Sequence, residues 1–293
     1  MKAFEYLRPS SLQEACAALL SPDGEVKALA GGTDVLVQMK LGTLQPRALV
    51  SLRDVPGLTF ALLGEDGALG IGAATTLGGV EGSPAVRQSL PAIAEAAACI
   101  GSVQVRSRAT VGGNLCNAAP SADMAPILLA YEAEAVITDG DAERRIPLEE
   151  FFVGPGQTAL RPGELLKAIR VPPAPPESYA KYYKTFRSAM DCCTVGVGIV
   201  AVFKPGATML SDVRLALGAV APTPIRAREA EQMALDQPLD EGLIERVGRQ
   251  AAAEAWPISD VRASAEYRTT LVEVLTKRAL RDALSWAEKG ARR

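Results

Sequence analysis

The segment Val171-Pro172-Pro173-Ala174-Pro175-Pro176 limits the fold more than any other stretch of this chain. Proline lacks an amide hydrogen and has a fixed φ, so a run this dense cannot continue a helix or lie in a central strand. It reads as a link between separately folding parts, and 293 residues suffice for two domains. The expected boundaries are 1–173, with subdomains of about 1–55 and 56–173, and a smaller C-terminal domain over 177–293.

Strands and helices alternate irregularly on both sides of the link, the pattern of an α+β fold. Ser11-Leu12-Gln13-Glu14 has capping-box spacing ahead of an alanine- and leucine-rich helix that runs to Leu20. Val26 to Ala30 reads as a buried strand leading into Gly31-Gly32, with Thr33-Asp34 placed to cap a helix carrying Val35, Leu36 and Met39. Ala48 to Leu52 is another strand, and Thr59 to Leu63 pairs with Ala68 to Ala73 as a hairpin. An alanine-rich helix from Pro91 to Cys99 stops at Gly101, and a second glycine turn, Ala109 to Asn114, precedes a helix from about Asp123 to Tyr131. Beyond the link, Lys181 to Arg187, Thr194 to Phe203 and Val213 to Val220 are strand-like. A final helix over about Ser264 to Glu288 repeats apolar residues at helical spacing, so a sheet backed by helices is expected.

Consecutive glycines after a strand let the backbone approach a ligand closely, and free amides ahead of a helix suit phosphate oxygens. Gly31-Gly32 and Gly112-Gly113 are two such turns, enough to grip a diphosphate. Gly-x-Gly-x-x-Ala also occurs from Gly196 to Ala201, and Gly70-Ile71-Gly72 is a looser version. The first sits inside an apolar strand-like run, and the second precedes threonines without a clear helix. Neither supplies the strand, turn and helix order of a dinucleotide site.

The sequence contains no histidine, which removes histidine triads, histidine metal sites, histidyl-linked flavin and the commonest general base. The five cysteines, Cys16, Cys99, Cys116, Cys192 and Cys193, have no CxxC spacing, so no disulfide framework, zinc site or cluster site is signalled. A formal charge of −3 with scattered basic residues argues against nucleic acid. No apolar run is long enough to span a bilayer, and the first residues lack the apolar core of a secretion signal. A cytoplasmic location is expected. Catalytic side chains and metal ligands are not nominated; the chemistry is expected to rest on a cofactor.

KALAGGTDVLVQMK at 27–40, IGAATTLGGVE at 71–81 and QVRSRATVGGNLCNAAPSADMAPILLAYEA at 104–133 resemble the FAD-binding subunit of the xanthine dehydrogenase and carbon monoxide dehydrogenase family of molybdenum hydroxylases. KYYKTFRSAMDCCTVGVGIVAVF at 181–203 is similar to the start of that family's C-terminal flavoprotein domain, so the likeness covers nearly the whole chain. The resemblance implies a two-part FAD-binding domain of the vanillyl-alcohol-oxidase type, with non-covalent FAD held at its diphosphate by both glycine turns.

Residue by residue, it implies a first loop of Leu29, Ala30, Gly31, Gly32, Thr33 and Asp34. Gly31 and Gly32 offer amides and Thr33 a hydroxyl, while Asp34 is either a contact or a helix cap. The second loop is Ala109, Thr110, Gly112, Gly113 and Asn114, with Thr110 near the ribityl chain or flavin and Asn114 either a contact or a structural turn residue. Asp123 matches an aspartate on the ribityl or ribose hydroxyls, with a helix cap as the other reading. Ile100 and Gly101 line the adenine or ribityl path or simply end a helix. Leu166 and Lys184 match late contacts to the flavin ring, Lys184 being otherwise a solvated strand lysine. Cys116, beside the second loop, reads as a core thiol. A cysteine-bearing insertion found in one branch of the family is missing, so FAD alone is implied in this chain.

The implied role is to take electrons from 2Fe-2S clusters of a small partner subunit and pass them to an external acceptor. The molybdenum cofactor would sit in a large subunit, in a dimer of heterotrimers. Two alternatives remain: a self-contained FAD-dependent oxidase or dehydrogenase, and a flavin-free scaffold of the same fold.

Overall fold

A computed structural model describes residues 2–21 and 25–291. The chain opens with β1 (Glu5–Leu7), α1 (Leu12–Leu19), β2 (Val26–Leu29), α2 (Val35–Leu41) and β3 (Ala48–Ser51). The three strands are parallel in the order β1-β3-β2, so the fully buried β3 is central and β2 is an edge. At the start of α1, Ser11 Oγ accepts the Glu14 amide as the spacing predicts. The Glu14 carboxylate accepts the amide of Ser10 instead of Ser11, a capping box displaced by one residue.

The next part comprises β4 (Ala61–Leu63), β5 (Leu69–Gly72), α3 (Leu77–Gly82), α4 (Pro84–Ser89), α5 (Pro91–Ala98), α6 (Val103–Arg106), α7 (Val111–Cys116) and α8 (Met124–Ala130). It continues with β6 (Glu134–Thr138), β7 (Glu143–Pro147), α9 (Leu148–Phe151), β8 (Phe152–Gly154), β9 (Gln157–Thr158) and β10 (Leu165–Val171). Five strands form an antiparallel sheet in the order β4-β5-β10-β6-β7, so the last strand lies at its centre. Ile93, Ile127, Leu128, Ile137 and Phe151 are fully buried in the core that this sheet shares with the helices.

After the prolines come β11 (Ser178–Thr185), β12 (Val195–Phe203), β13 (Leu210–Gly218) and β14 (Ile225–Arg226), paired in that order and antiparallel throughout. α10 (Arg228–Ala234), α11 (Glu241–Ala253) and α12 (Ala265–Ala291) follow. α12 packs on β12 and α11 packs on α12, while α8 of the preceding part also packs on β12 and β13. Sandwiched in this way, β12 is buried along almost its whole length, which accounts for its unbroken apolar sequence.

Both dinucleotide-like patterns fall inside antiparallel strands. A Cβ on Gly198 would lie 2.5 Å from the Pro126 carbonyl oxygen, so this glycine is the groove into which α8 fits. Gly70 and Gly72 belong to β5, where the nearby Leu58 carbonyl leaves no room for a side chain on Gly72. The expectation that no helix follows them is corrected: Thr76 Oγ1 accepts the Gly79 amide and starts α3. Among the described residues, no helix is long and apolar enough to cross a membrane.

Candidate functional site

A cavity of about 640 Å³ runs between edge strand β2 with its following loop, the start of α7, and the segment from Leu160 to Leu166. It lies in the size range of small-molecule and cofactor sites. The first loop forms one wall because β2 ends at Leu29 and Gly32 turns the chain with φ +79°, a conformation open to glycine. Gly31 is needed for a different reason. A Cβ there would sit 2.1 Å from the Arg108 carbonyl oxygen, so the loop packs directly on the backbone that leads into the second glycine pair.

The amides of Gly31, Gly32, Thr33 and Asp34 have no protein acceptor among the described residues, nor does the Thr33 hydroxyl have a partner. These four amides at the cavity wall are the donor set that a phosphate requires. Asp34 precedes α2 but makes no side-chain cap, so the cap reading falls. Partial desolvation at the cavity lip raises its carboxyl above the usual carboxylate range.

The second pair behaves differently from the first. Val111 to Cys116 is a helix, and its leading amides are all engaged. Val111 donates to the Thr75 carbonyl at 3.1 Å, Gly112 to Ala73 at 2.8 Å, Gly113 to Thr110 Oγ1 at 3.0 Å and Asn114 to the Thr110 carbonyl at 2.9 Å. The expectation that Gly112 and Gly113 present amides to a diphosphate is therefore overturned, because the Ala73 carbonyl, just after β5, and the Thr110 cap already take them. The two glycines still line the cavity. Gly112 packs against Ala73, whereas a Cβ on Gly113 would meet only the Thr110 hydroxyl, at 3.0 Å. Their contribution is close approach. Thr110 Oγ1 accepts from Gly113 but keeps its own hydrogen to donate.

Of the residues singled out from sequence, Ala30, Gly31, Gly32, Thr33, Asp34, Thr110, Gly112, Gly113 and Leu166 line this one cavity. Leu29 and Ala109 lie just behind it, Leu29 against Gly32 and Ala109 against Gly31. Lys27, Gln38, Asn117 and Arg161 also line it and were not foreseen. Gln38 and Asn117 join the helices of the two loops through a 3.4 Å hydrogen bond. Only the pairing of α2 with α7, distant in sequence, makes them neighbours. Cys116 borders the cavity as well, and burial pushes its thiol up to about 12, far from the thiolate that covalent chemistry would need.

The remaining candidates form a second group. Asn114 Oδ1 accepts the Met124 amide at 3.3 Å and so starts α8. Asp123 makes no cap. Its two carboxylate oxygens accept from Tyr182 Oη at 2.8 Å and Lys184 Nζ at 3.0 Å, and Lys184 donates also to the Cys99 carbonyl at 3.0 Å, next to Ile100 and Gly101. The solvated-lysine reading is thereby corrected, since only 3% of the Lys184 side chain is exposed. Burial pushes the Asp123 carboxyl up, against the pull of Lys184 and Tyr182. Ile100 and Gly101 end α5, their carbonyls held by Arg106 Nη1 at 3.1 and 3.2 Å. Among the described residues, no three His, Cys, Asp or Glu side chains cluster as a metal site.

Free amides on one wall of a partly apolar cavity of this size fit an FAD. Comparison with known proteins agrees. Residues 2–174 match the FAD binding domain in molybdopterin dehydrogenase, and residues 180–283 match the CO dehydrogenase flavoprotein C-terminal domain. The chain is 37% identical over 284 residues to a xanthine dehydrogenase FAD-binding subunit of Escherichia coli O157:H7, covering 96% of each. It is 34% identical to the carbon monoxide dehydrogenase medium chain of Hydrogenophaga pseudoflava, covering 97% of each. Among solved structures, reconstituted CO dehydrogenase from Oligotropha carboxidovorans superposes with a TM-score of 0.92 at 32% identity, covering 97% of this chain and 98% of the other. The chain thus belongs to the FAD-binding medium subunits of the xanthine dehydrogenase and carbon monoxide dehydrogenase family of molybdopterin dehydrogenases, and is an oxidoreductase subunit.

Proposed function

We propose that this chain holds one FAD along the cavity and relays electrons, taking them from 2Fe-2S clusters of a small partner subunit and passing them to an external acceptor. A large subunit would carry the molybdenum cofactor, the assembly would be a cytoplasmic dimer of heterotrimers, and the domain boundary would lie in Pro172–Pro176. The observation that carries the reading is the set of four unpartnered amides from Gly31 to Asp34 facing the cavity. They would hold the diphosphate, with Gly112 and Gly113 allowing it to come close and Thr110 and Leu166 bordering the ribityl and ring end. Ile100, Gly101, Asp123 and Lys184 would close that end. When bound, FAD exchanges electrons both in pairs and singly, which suits a junction between one-electron clusters and a two-electron acceptor.

A relay is favoured over a self-contained oxidase by the side chains present. The sequence offers no histidine, the Cys116 thiol stays protonated at neutral pH, and Glu164 is occupied by Arg144. Asp34 is the one cavity carboxylate without a salt bridge among the described residues. It belongs to the loop whose amides would hold the diphosphate, not to the residues assigned to the ring end, so it is not placed as a base for substrate chemistry there. The test is to reconstitute the purified chain with FAD and assay dye reduction, alone and with its neighbouring-gene subunits. Substrate-dependent reduction should need the complex. Turnover by the flavin-loaded chain alone would defeat the relay, and failure to take up flavin would leave the scaffold.

A further inference from the structure

We propose that Arg161 is the cation that faces the FAD diphosphate, carried in the cavity wall on a segment the protein has already ordered; this rests on reading the cavity as the FAD site. The amide donors for a doubly negative group lie on one wall only, because those of the second glycine pair are engaged within the protein. A full positive countercharge, beyond the partial charge of those amides, can only come from side chains. Four charged residues line the cavity among the described ones: Lys27, Asp34, Arg161 and Glu164. Glu164 is neutralised by Arg144 through hydrogen bonds of 2.8 and 2.6 Å. Lys27 sits on β2 four residues before Gly31, about 13 Å back along the strand. Arg161 has an exposed side chain that forms no salt bridge among the described residues; its charge helps to hold down the Glu164 carboxyl, but Arg144 is what hydrogen-bonds to that carboxylate.

The segment 155–164 borders the cavity at Gly156 and from Leu160 to Glu164, and it is tied at several points. The Gly156 amide donates to the Ala118 carbonyl at 3.0 Å and the Ala159 amide to Phe151 at 2.9 Å. Arg144 Nη2 reaches the Ala159 carbonyl at 2.9 Å, and the Arg161 amide itself donates to Glu164 Oε2 at 2.8 Å. Arg161 therefore has a fixed backbone and a guanidinium without a hydrogen bond or salt bridge among the described residues, so pairing with a ligand orders only one side chain. A guanidinium fork matches two phosphate oxygens better than an ammonium does.

The full chain, stripped of flavin, would be titrated with FAD by fluorescence at several salt concentrations, as wild type, Arg161→Gln and Lys27→Gln. Wild-type affinity should fall as salt rises. Arg161→Gln should bind about tenfold more weakly at low salt, with a flatter salt dependence and an unchanged melting temperature, while Lys27→Gln keeps the wild-type slope. An Arg161→Gln titration indistinguishable from wild type overturns the proposal. So does weaker binding with the full salt slope, which would put Arg161 against the adenine instead of the phosphates. Absence of FAD binding by the wild type would instead remove the cavity reading on which the proposal stands.

Discussion

Gly31, Gly32 and Gly113 look alike in the sequence but do three different jobs. Alanine at 31 would drive a methyl into the Arg108 carbonyl, so Gly31→Ala should lower stability by about 1–3 kcal/mol in urea denaturation, as overpacking does, and lose flavin with it. Gly32→Ala faces less crowding but keeps φ at +79°, where a Cβ costs about 1–2 kcal/mol. Gly113 lies in a helix with ordinary φ, and only the Thr110 hydroxyl is near. Gly113→Ala should leave the melting temperature of the flavin-free chain almost unchanged while FAD affinity falls about tenfold. A large loss of stability there would mean that the glycine serves packing, as Gly112 does, and not ligand approach.

At the level of elements, much was legible. The capping box, the strand leading to Gly31, the hairpin around residues 64–67 and the three long strands after the prolines all follow from local periodicity and turn chemistry. Several of the misreadings come from partners supplied from far away in sequence. Ala109 to Asn114 reads as a turn with free amides, but Ala73 and Thr75, just after β5, capture those of Val111 and Gly112, while Thr110 takes those of Gly113 and Asn114 and starts the helix. The cap, the alternative reading for both Asp34 and Asp123, is made by neither, and Asp123 is taken by Tyr182 and Lys184, which lie about sixty residues on. Lys27, Gln38, Asn117 and Arg161 carry no motif at all. Gly196-x-Gly198 was rightly set apart from a nucleotide site, but its purpose depends on Pro126 of α8 resting against it. Gly198→Val should therefore push α8 off β12 and cost about 1–3 kcal/mol. The change would be measured in denaturant, and an unaltered midpoint would contradict this packing role.

Across the whole molecule, the Asp123–Lys184 pair binds the part before the proline link to the part after it, in a place where both side chains are more than nine-tenths buried. The two partners are not equivalent. Removing Asp123 leaves a buried ammonium with no counter-charge, held only by the Cys99 carbonyl and the Phe186 ring 5.8 Å away, so Asp123→Ala should cost about 3–5 kcal/mol. Removing Lys184 leaves a carboxyl that burial already pushes toward its protonated form, and Tyr182 can still hydrogen-bond to it. Lys184→Met should cost less, and the double variant should be more stable than Asp123→Ala alone, which a double-mutant cycle would measure. The same asymmetry fixes a pH dependence. In Lys184→Met the folded Asp123 pKa lies still further above its unfolded value of about 3.9. A carboxyl with a raised folded pKa contributes stability that is complete below the unfolded value and is lost as pH climbs through the folded one. The stability deficit of Lys184→Met relative to wild type should therefore be small near pH 4 and widen toward neutrality, as read from urea midpoints across that range. A deficit that stays constant with pH would show that Asp123 ionises without Lys184, and that the pair is held by something other than the charge they share.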